Sequence, residues 1–146
     1  MARHDIELEF AAVPADVWAV VADVARWGDW DPSIRTIEAE PGTPGGVGAR
    51  YAVTVGFYGR AIEQTHEIVR ADEPHHLVVE STGRATGRWD LELEPHAGGT
   101  RLRWTTTLKL GGLARVLDKG LDLALAGLVE NAADGLRRRV EGSAAR

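Results

Sequence analysis

The stretch that decides the fold is Val13–Ile34, VPADVWAVVADVARWGDWDPSI. Pro14 suits the first turn of a helix, and Asp16 follows in that turn, where an acidic side chain favours the helix dipole. The segment Ala25–Trp30 predicts a second short helix or turn, which Asp31-Pro32 ends because the residue before a proline disfavours helical backbone. We interpret Asp31 as a residue that fixes this turn. One face of the first predicted helix is apolar and consists of Val17, Val20, Val21 and Val24.

Alternating strands flank this helical stretch. On its N-terminal side, apolar Ile6, Leu8 and Phe10 alternate with acidic residues, which is the period-2 pattern of a half-buried strand. On its C-terminal side, six further alternating segments separated by short turns predict an antiparallel meander. Their predicted ranges are 34–40, 49–57, 60–71, 76–81, 85–94 and 101–110.

A long helix is predicted to close the chain, from Gly111 to about Val140. At 1.5 Å per residue, its roughly 30 residues would span about 45 Å, enough to lie across a whole sheet. Its apolar stripe consists of Leu117, Leu121, Leu125, Leu128, Ala132 and Leu136. Beside the stripe runs an arc that consists of Gly120, Ala124, Gly127, Asn131 and Gly135. The missing side chains of this arc either leave room for a ligand or permit close backbone packing.

The sheet is predicted to bury one face beneath this helix, with the charged parity of each strand facing water. In the strand 60–71, that alternation places Gln64 and His66 inward, where a polar group without a partner costs about 1–3 kcal/mol. From the helix, Leu128 and Asn131 are predicted to contact the same ligand as the inward residues of the sheet. Among the inward residues of the sheet, those predicted to bind the ligand are Tyr51, Val53, Phe57, Trp89, Trp104 and Thr106.

The composition is that of one ordinary globular domain, which we expect to cover residues 1–146. The chain has 44% hydrophobic and 27% charged residues, a net charge of −5 and no cysteine. The negative charge argues against a nucleic-acid partner, and the missing cysteine excludes disulfides and thiolate metal sites. No apolar run reaches the roughly 20 residues of a membrane span, and the N-terminus lacks a secretory pattern. We therefore expect a cytoplasmic monomer or homodimer without stable membrane insertion.

Several motifs together resemble a known superfamily. They are Val13–Trp18 (VPADVW), Ala22-Asp23, Trp27–Pro32 (WGDWDP), Trp89–Leu93 (WDLEL) and Gly98–Leu102 (GGTRL), followed by the leucine-rich last helix. Nearly the whole chain resembles the START-type, helix-grip superfamily that includes the birch-pollen allergen and is also called SRPBCC. Within it, the chain is most similar to the polyketide cyclase/dehydrase branch of small bacterial proteins.

The resemblance implies an α+β helix-grip fold with the element order β-α-α-β6-α. In this fold a curved, seven-stranded antiparallel sheet grips the C-terminal helix, and two short helices close one end. The resemblance also implies a hydrophobic tunnel for a lipid, sterol, polyketide or aromatic ligand, and we expect no cofactor. The motifs are structural and the superfamily has no universal catalytic motif, so the resemblance is more specific about fold than about function.

His66, with Gln64 near it, is the candidate for acid–base chemistry, because an imidazole can shuttle a proton near neutral pH. Such a group would serve an aldol-type cyclisation or a dehydration, with Tyr51 as a further candidate. The alternative is a satisfied, partly buried histidine near the cavity mouth, which the lack of an orienting carboxylate favours. His75-His76 would project apart, so no metal site is predicted.

Three functions remain open from the sequence. The leading hypothesis is a protein that binds a small hydrophobic molecule between the sheet and the last helix. The second is a polyketide cyclase or dehydratase that uses the same cavity. The third is a protein-interaction module resembling the chaperone activators or antitoxin-like members of the superfamily, which would have a filled core and a sizeable exposed apolar patch.

Overall fold

The computed structural model describes residues 2–57, 59–110 and 118–144. Seven antiparallel strands form one sheet in the order β1-β7-β6-β5-β4-β3-β2. Two short helical segments follow β1 and one long helix follows β7, which confirms the predicted α+β helix-grip order. The elements are β1 (Ala2–Phe10), α1 (Pro14–Val21), a 3₁₀ helix (Val24–Asp29), β2 (Ile34–Ala39), β3 (Arg50–Phe57), β4 (Arg60–Asp72), β5 (His76–Gly83), β6 (Ala85–His96), β7 (Gly99–Leu110) and α2 (Asp118–Ala144).

The helical stretch after β1 closes one end of the sheet. Pro14 is the first residue of α1. This position favours proline, because its φ is fixed near the helical value and its missing N–H group would have no partner there. The indole Nε1 of Trp27 in the 3₁₀ helix donates a 2.8 Å hydrogen bond to the backbone oxygen of Val21, the last residue of α1. This bond satisfies a carbonyl group that the helix end leaves without a partner. It thereby joins the two helical segments into one buried unit.

The side chains that alternation predicts to face inward lie on the inward face of the sheet in the structure. Leu91 and Leu102 are completely buried, whereas the charged residues between the inward positions are exposed or half-buried. His66 pairs in register with Tyr51 on one side and Ser81 on the other. These three residues therefore form a row on the inward face, and the curvature of the sheet places that face against α2.

Helix α2 packs along β1 and against α1. Its residues Leu136 and Val140 are buried, and the helix continues to Ala144, beyond the predicted end near Val140. Its predicted beginning at 111–117 lies outside the described residues. No helix within the described ranges is long and apolar enough to cross a membrane.

The arc of small residues on α2 does not create the ligand space. Gly135 is buried, and a Cβ atom there would overlap the backbone oxygen of Trp30. Gly127 is exposed, and a Cβ there would meet no described atom within 4 Å. Close backbone packing therefore explains Gly135, and Gly127 and Asn131 face water, so these three residues do not support the interpretation of the arc as a cavity wall.

Candidate ligand cavity

A cavity of about 60 Å³ lies between α2 and the inward face of the sheet. Eleven of the sixteen described residues that line it are apolar. The helix supplies Leu125, Leu128, Val129 and Ala132. Strands β3, β4, β6 and β7 supply Val55, Ile62, Ala85, Trp89, Trp104 and Leu108, and Ile34 at the start of β2 completes the apolar wall.

Six of the residues predicted to form the site line this cavity. They come from β4, β6, β7 and α2, so the fold brings together positions that are up to 64 residues apart in the chain. The six residues are Gln64, His66, Trp89, Trp104, Thr106 and Leu128.

Three other predicted site residues, which are Tyr51, Val53 and Asn131, are not among the described lining residues. Tyr51 and Val53 are paired in register with His66 and Gln64, which line the cavity, but they are not lining residues themselves. Val53 is buried, and Tyr51 packs half-buried against the core. Burial raises the pKa of Tyr51, and the Asp23 carboxylate adds to this increase. Asn131 is exposed because helical geometry turns it about 100° away from Ala132, which does line the cavity. The side chain of Phe57 lies outside the described residues.

His66 belongs to an aromatic cluster at the cavity wall. Its ring centroid lies 4.8 Å from that of Trp89 and 6.0 Å from that of Trp27. Trp30 makes an edge contact with Trp104, with 5.9 Å between centroids and 88° between planes. Trp27 and Trp30 therefore pack against the rings of the cavity wall from the helical stretch after β1.

The imidazole of His66 is buried without full hydrogen bonding. The residue is 1% exposed, and Nδ1 has no hydrogen-bond partner in the described part of the chain. Burial lowers the pKa of His66 to about 4, and the backbone of Thr65 offsets this only in part. His66 is therefore neutral at pH 7. The buried Oγ of its cross-strand neighbour Ser81 also lacks a partner among the described residues.

Two other polar lining residues already have partners. The Nε2 of Gln64 donates a 3.1 Å hydrogen bond to the backbone oxygen of Ala85. The Oγ1 of Thr106 accepts a 2.7 Å hydrogen bond from Nε1 of Trp104. Because Gln64 is held by the β6 backbone, it bonds to the sheet and makes no hydrogen bond to His66.

Asp31 is a charged cavity residue that the sequence did not identify as part of the site. Its Oδ1 accepts hydrogen bonds from the backbone N and the Oγ of Ser33, at 2.9 and 2.7 Å, which is the turn geometry expected before Pro32. The same residue lines the cavity beside Ser33 and Ile34. Burial raises the pKa of Asp31, while the two bonds from Ser33 act in the opposite direction. No periodicity marks this position, because it lies in a connection and not in a strand or helix.

A second group of titratable side chains lies on the outer face of the sheet. The Nε2 of His76 is 2.6 Å from Oδ1 of Asp90, and Oε1 of Glu92 is 3.9 Å away. These atoms could surround a cation, an arrangement that the sequence analysis did not find because it depends on pairing between β5 and β6. Arg88 lies 3.7 Å from Asp90 and supplies positive charge there, so we interpret the group as a surface ion-pair network.

Comparison with known proteins gives a whole-chain match to one family model. Residues 1–141 match the model described as polyketide cyclase / dehydrase and lipid transport. No curated protein is significantly similar to the chain in sequence.

Solved structures are similar over nearly the whole length. TTHA0849 from Thermus thermophilus is 19% identical with a TM-score of 0.81, covering 97% of this chain and 98% of that one. A START superfamily protein from Mycobacterium smegmatis is 16% identical with a TM-score of 0.81, covering 97% and 99%. The Zhui aromatase/cyclase from Streptomyces sp. R1128 is 13% identical with a TM-score of 0.80, covering 95% and 93%. At these identities the similarity shows the fold.

Proposed function

This chain belongs to the polyketide cyclase/dehydrase and lipid transport family, and we propose that it binds a small, mainly apolar, ring-containing molecule in the cavity between α2 and the sheet. Its function is of the cyclase/dehydrase-like or ligand-binding kind that this family and fold perform. The observation that carries the proposal is an apolar space walled by the aromatic rings of Trp89 and Trp104. Such walls suit the flat faces of aromatic ligands.

The size of the cavity bears directly on this proposal. An engineered cavity that holds benzene measures about 150 Å³, and this one measures about 60 Å³. A ring-containing ligand therefore enters only if wall side chains move outward. Ile34, Ile62 and Leu128 are half-buried lining residues, so their displacement disrupts less packing than movement of the fully buried wall.

Equilibrium dialysis with naphthalene tests the proposal, because this probe has a ring and no polar group. We expect the wild-type protein to retain naphthalene and Ala132→Val to weaken its binding, since the added methyl groups fill the cavity from the helix side. The control is Ala126→Val, a half-buried position of the same helix that does not line the cavity. Absence of naphthalene binding by the wild-type protein, together with native mass spectra free of any co-purified apolar molecule, would overturn the proposal.

A cyclase or dehydratase activity is the second candidate, favoured by the position of His66. Its unpartnered Nδ1 lies in a residue that lines the cavity, where it could accept a proton from a bound poly-β-ketone. A pKa of about 4 makes the imidazole a weak base at neutral pH, which favours binding over proton transfer. If the protein is an enzyme, His66→Gln abolishes turnover of a linear poly-β-ketone and leaves naphthalene binding nearly intact. Unchanged turnover in this variant would reject a catalytic role.

The interaction-module alternative receives no support from the described surface. The exposed large apolar residues in the described ranges are Val13, Val47 and Leu123. They belong to the start of α1, the β2–β3 connection and α2, and single exposed apolar residues are normal on soluble proteins.

A further inference from the structure

The polar side chains of the cavity differ in how many hydrogen bonds they have already made. Ser33 donates to Asp31, Gln64 donates to the Ala85 backbone, and Thr106 accepts from Trp104. Those groups are engaged within the protein. In the described lining, Nδ1 of His66 is buried without a partner, and Oδ2 of Asp31 and Oε1 of Gln64 make no hydrogen bond to a described residue.

The described lining of the cavity carries negative charge and no positive charge. Asp31 is its carboxylate, and the described lining residues include no lysine or arginine. His66 supplies no compensating positive charge, because burial keeps it neutral near pH 7. A carboxylate that enters the cavity therefore gains no cation from the described lining residues, and it must lose its water shell close to Asp31.

A ligand with a neutral hydroxyl group, unlike a carboxylate, finds hydrogen-bond partners in this cavity. It can donate its proton to Asp31 or to the unpartnered Nδ1 of His66, and it can accept a hydrogen bond when the imidazole carries its proton on Nδ1. A hydroxyl group therefore regains within the cavity the hydrogen bonds that it loses to water. The wall of indole rings accommodates the ring that carries it.

We propose that Asp31 and His66 make this cavity selective for neutral, hydroxyl-bearing ring compounds and that Asp31 excludes ligands with a carboxylate, such as free fatty acids and aromatic acids. This inference rests on the proposed binding function. It extends that function by naming the polar group that the ligand carries and the two residues that recognise it.

Three ligands with the same ring system test the selectivity: naphthalene, 2-naphthol and 2-naphthoate. At about pH 8 the naphthol is neutral and the naphthoate is ionised, and equilibrium dialysis measures each dissociation constant from ligand absorbance. For the wild-type protein we expect 2-naphthol to bind tighter than naphthalene and 2-naphthoate to bind at least about tenfold weaker than 2-naphthol.

The variant Asp31→Asn tests whether Asp31 is the residue that excludes carboxylate ligands. The asparagine Oδ1 can still accept the two hydrogen bonds from Ser33, so the turn keeps its geometry while the charge is removed. We expect the affinity for 2-naphthoate relative to that for naphthalene to rise about tenfold in this variant. Asp29→Asn is the matched control, because it removes the same charge at an exposed position outside the cavity lining.

His66→Leu tests the second residue, and we expect it to lower the preference for 2-naphthol over naphthalene by about threefold or more. If Asp31→Asn fails to fold by circular dichroism, Asp31→Ser replaces it, because a serine hydroxyl can also accept the backbone bond of Ser33.

The outcomes separate the two proposals. If no ligand of the three binds, the proposed binding function fails. If naphthalene binds but wild-type protein takes 2-naphthoate as well as 2-naphthol, the binding function stands and the selectivity is overturned. Unchanged discrimination in the Asp31 variant also overturns the inference, since the exclusion then arises elsewhere.

Discussion

The imidazole of His66 and the indole of Trp89 lie with their ring centroids 4.8 Å apart and their planes tilted by 44°. The two residues belong to β4 and β6, and β5 separates these strands in the sheet. Trp27 approaches the same imidazole from the 3₁₀ helix, at 6.0 Å between centroids. His66 is therefore enclosed by indole rings, and this desolvation is the main cause of its low pKa.

The low pKa of His66 predicts a loss of stability in acid. The unfolded chain binds a proton at His66 near pH 6.5, whereas the folded protein binds it only near pH 4. Between these values the unfolded state holds more protons than the folded state. The contribution of His66 to the free energy of unfolding is therefore fully present above pH 6.5 and is lost as the pH drops toward 4. The total contribution of this group is on the order of 3 kcal/mol.

Urea unfolding of His66→Leu at several pH values between about 7.5 and about 4.5 checks this prediction. We expect the variant to lose less stability than the wild-type protein over this range, and His75→Leu, at an exposed histidine, to follow the wild-type curve. The raised pKa of Asp31 acts with the opposite sign, because the folded state then binds the proton more readily, but Asp31 is present in all three proteins. Parallel curves for wild type and His66→Leu would contradict the prediction.

Thr106 is predicted to stabilise the fold through one hydrogen bond. Its Oγ1 accepts from Nε1 of Trp104, and both residues are buried. Thr106→Val keeps the shape but leaves the indole N–H without a partner, so we expect a loss of about 1–3 kcal/mol in the free energy of unfolding. Thr106→Ser should restore most of it. Thr107→Val, on the outer parity of β7, is the control and should stay within about 0.5 kcal/mol of wild type; an equal loss in both valine variants would refute the assignment.

Two of the glycines in α2, Gly135 and Gly127, are predicted to respond to alanine substitution with opposite changes in stability. A Cβ at Gly135 overlaps the backbone oxygen of Trp30, so Gly135→Ala must push the helix away from this loop and should cost about 3 kcal/mol. A Cβ at Gly127 meets no described atom within 4 Å, and Gly127→Ala should gain up to about 1 kcal/mol from helix propensity. Thermal and urea unfolding measure both effects, and similar changes in the two variants would argue against the close packing.

Trp27 is predicted to contribute more to stability than its size alone explains. Trp27→Phe removes the 2.8 Å hydrogen bond to the Val21 oxygen and shortens the ring that contacts His66 and Trp89. Trp18→Phe is the comparison, because Trp18 is similarly buried but donates no hydrogen bond from its indole within the described residues. We expect Trp27→Phe to cost about 1 kcal/mol more than Trp18→Phe in urea unfolding. Equal costs would show that the bond adds nothing beyond burial.

Alternation in the strands was sufficient to predict which side chains face inward. His66, Trp89 and Trp104 all lie on the predicted face, because successive side chains of a strand point to opposite sides whatever the strand packs against. The helical stretch Val13–Ile34 and the leucine stripe of α2 were readable for the same reason, since a period of about 3.6 residues is a local property. Alternation did not distinguish Tyr51 and Val53, which belong to the core, from Val55, which lines the cavity.

The sequence by itself therefore determined the element order, the inward faces and the family resemblance. The tertiary structure decided which inward residues border empty space, that Asp31 in a turn faces this space, and that Gly135 packs against Trp30. It also decided that His76 meets Asp90 across two strands. The physical reason is that a side chain's direction depends on its own few neighbours along the chain, whereas a cavity is the gap between surfaces that are distant in sequence. Its position depends on how far the sheet curves and where the helix comes to lie on it.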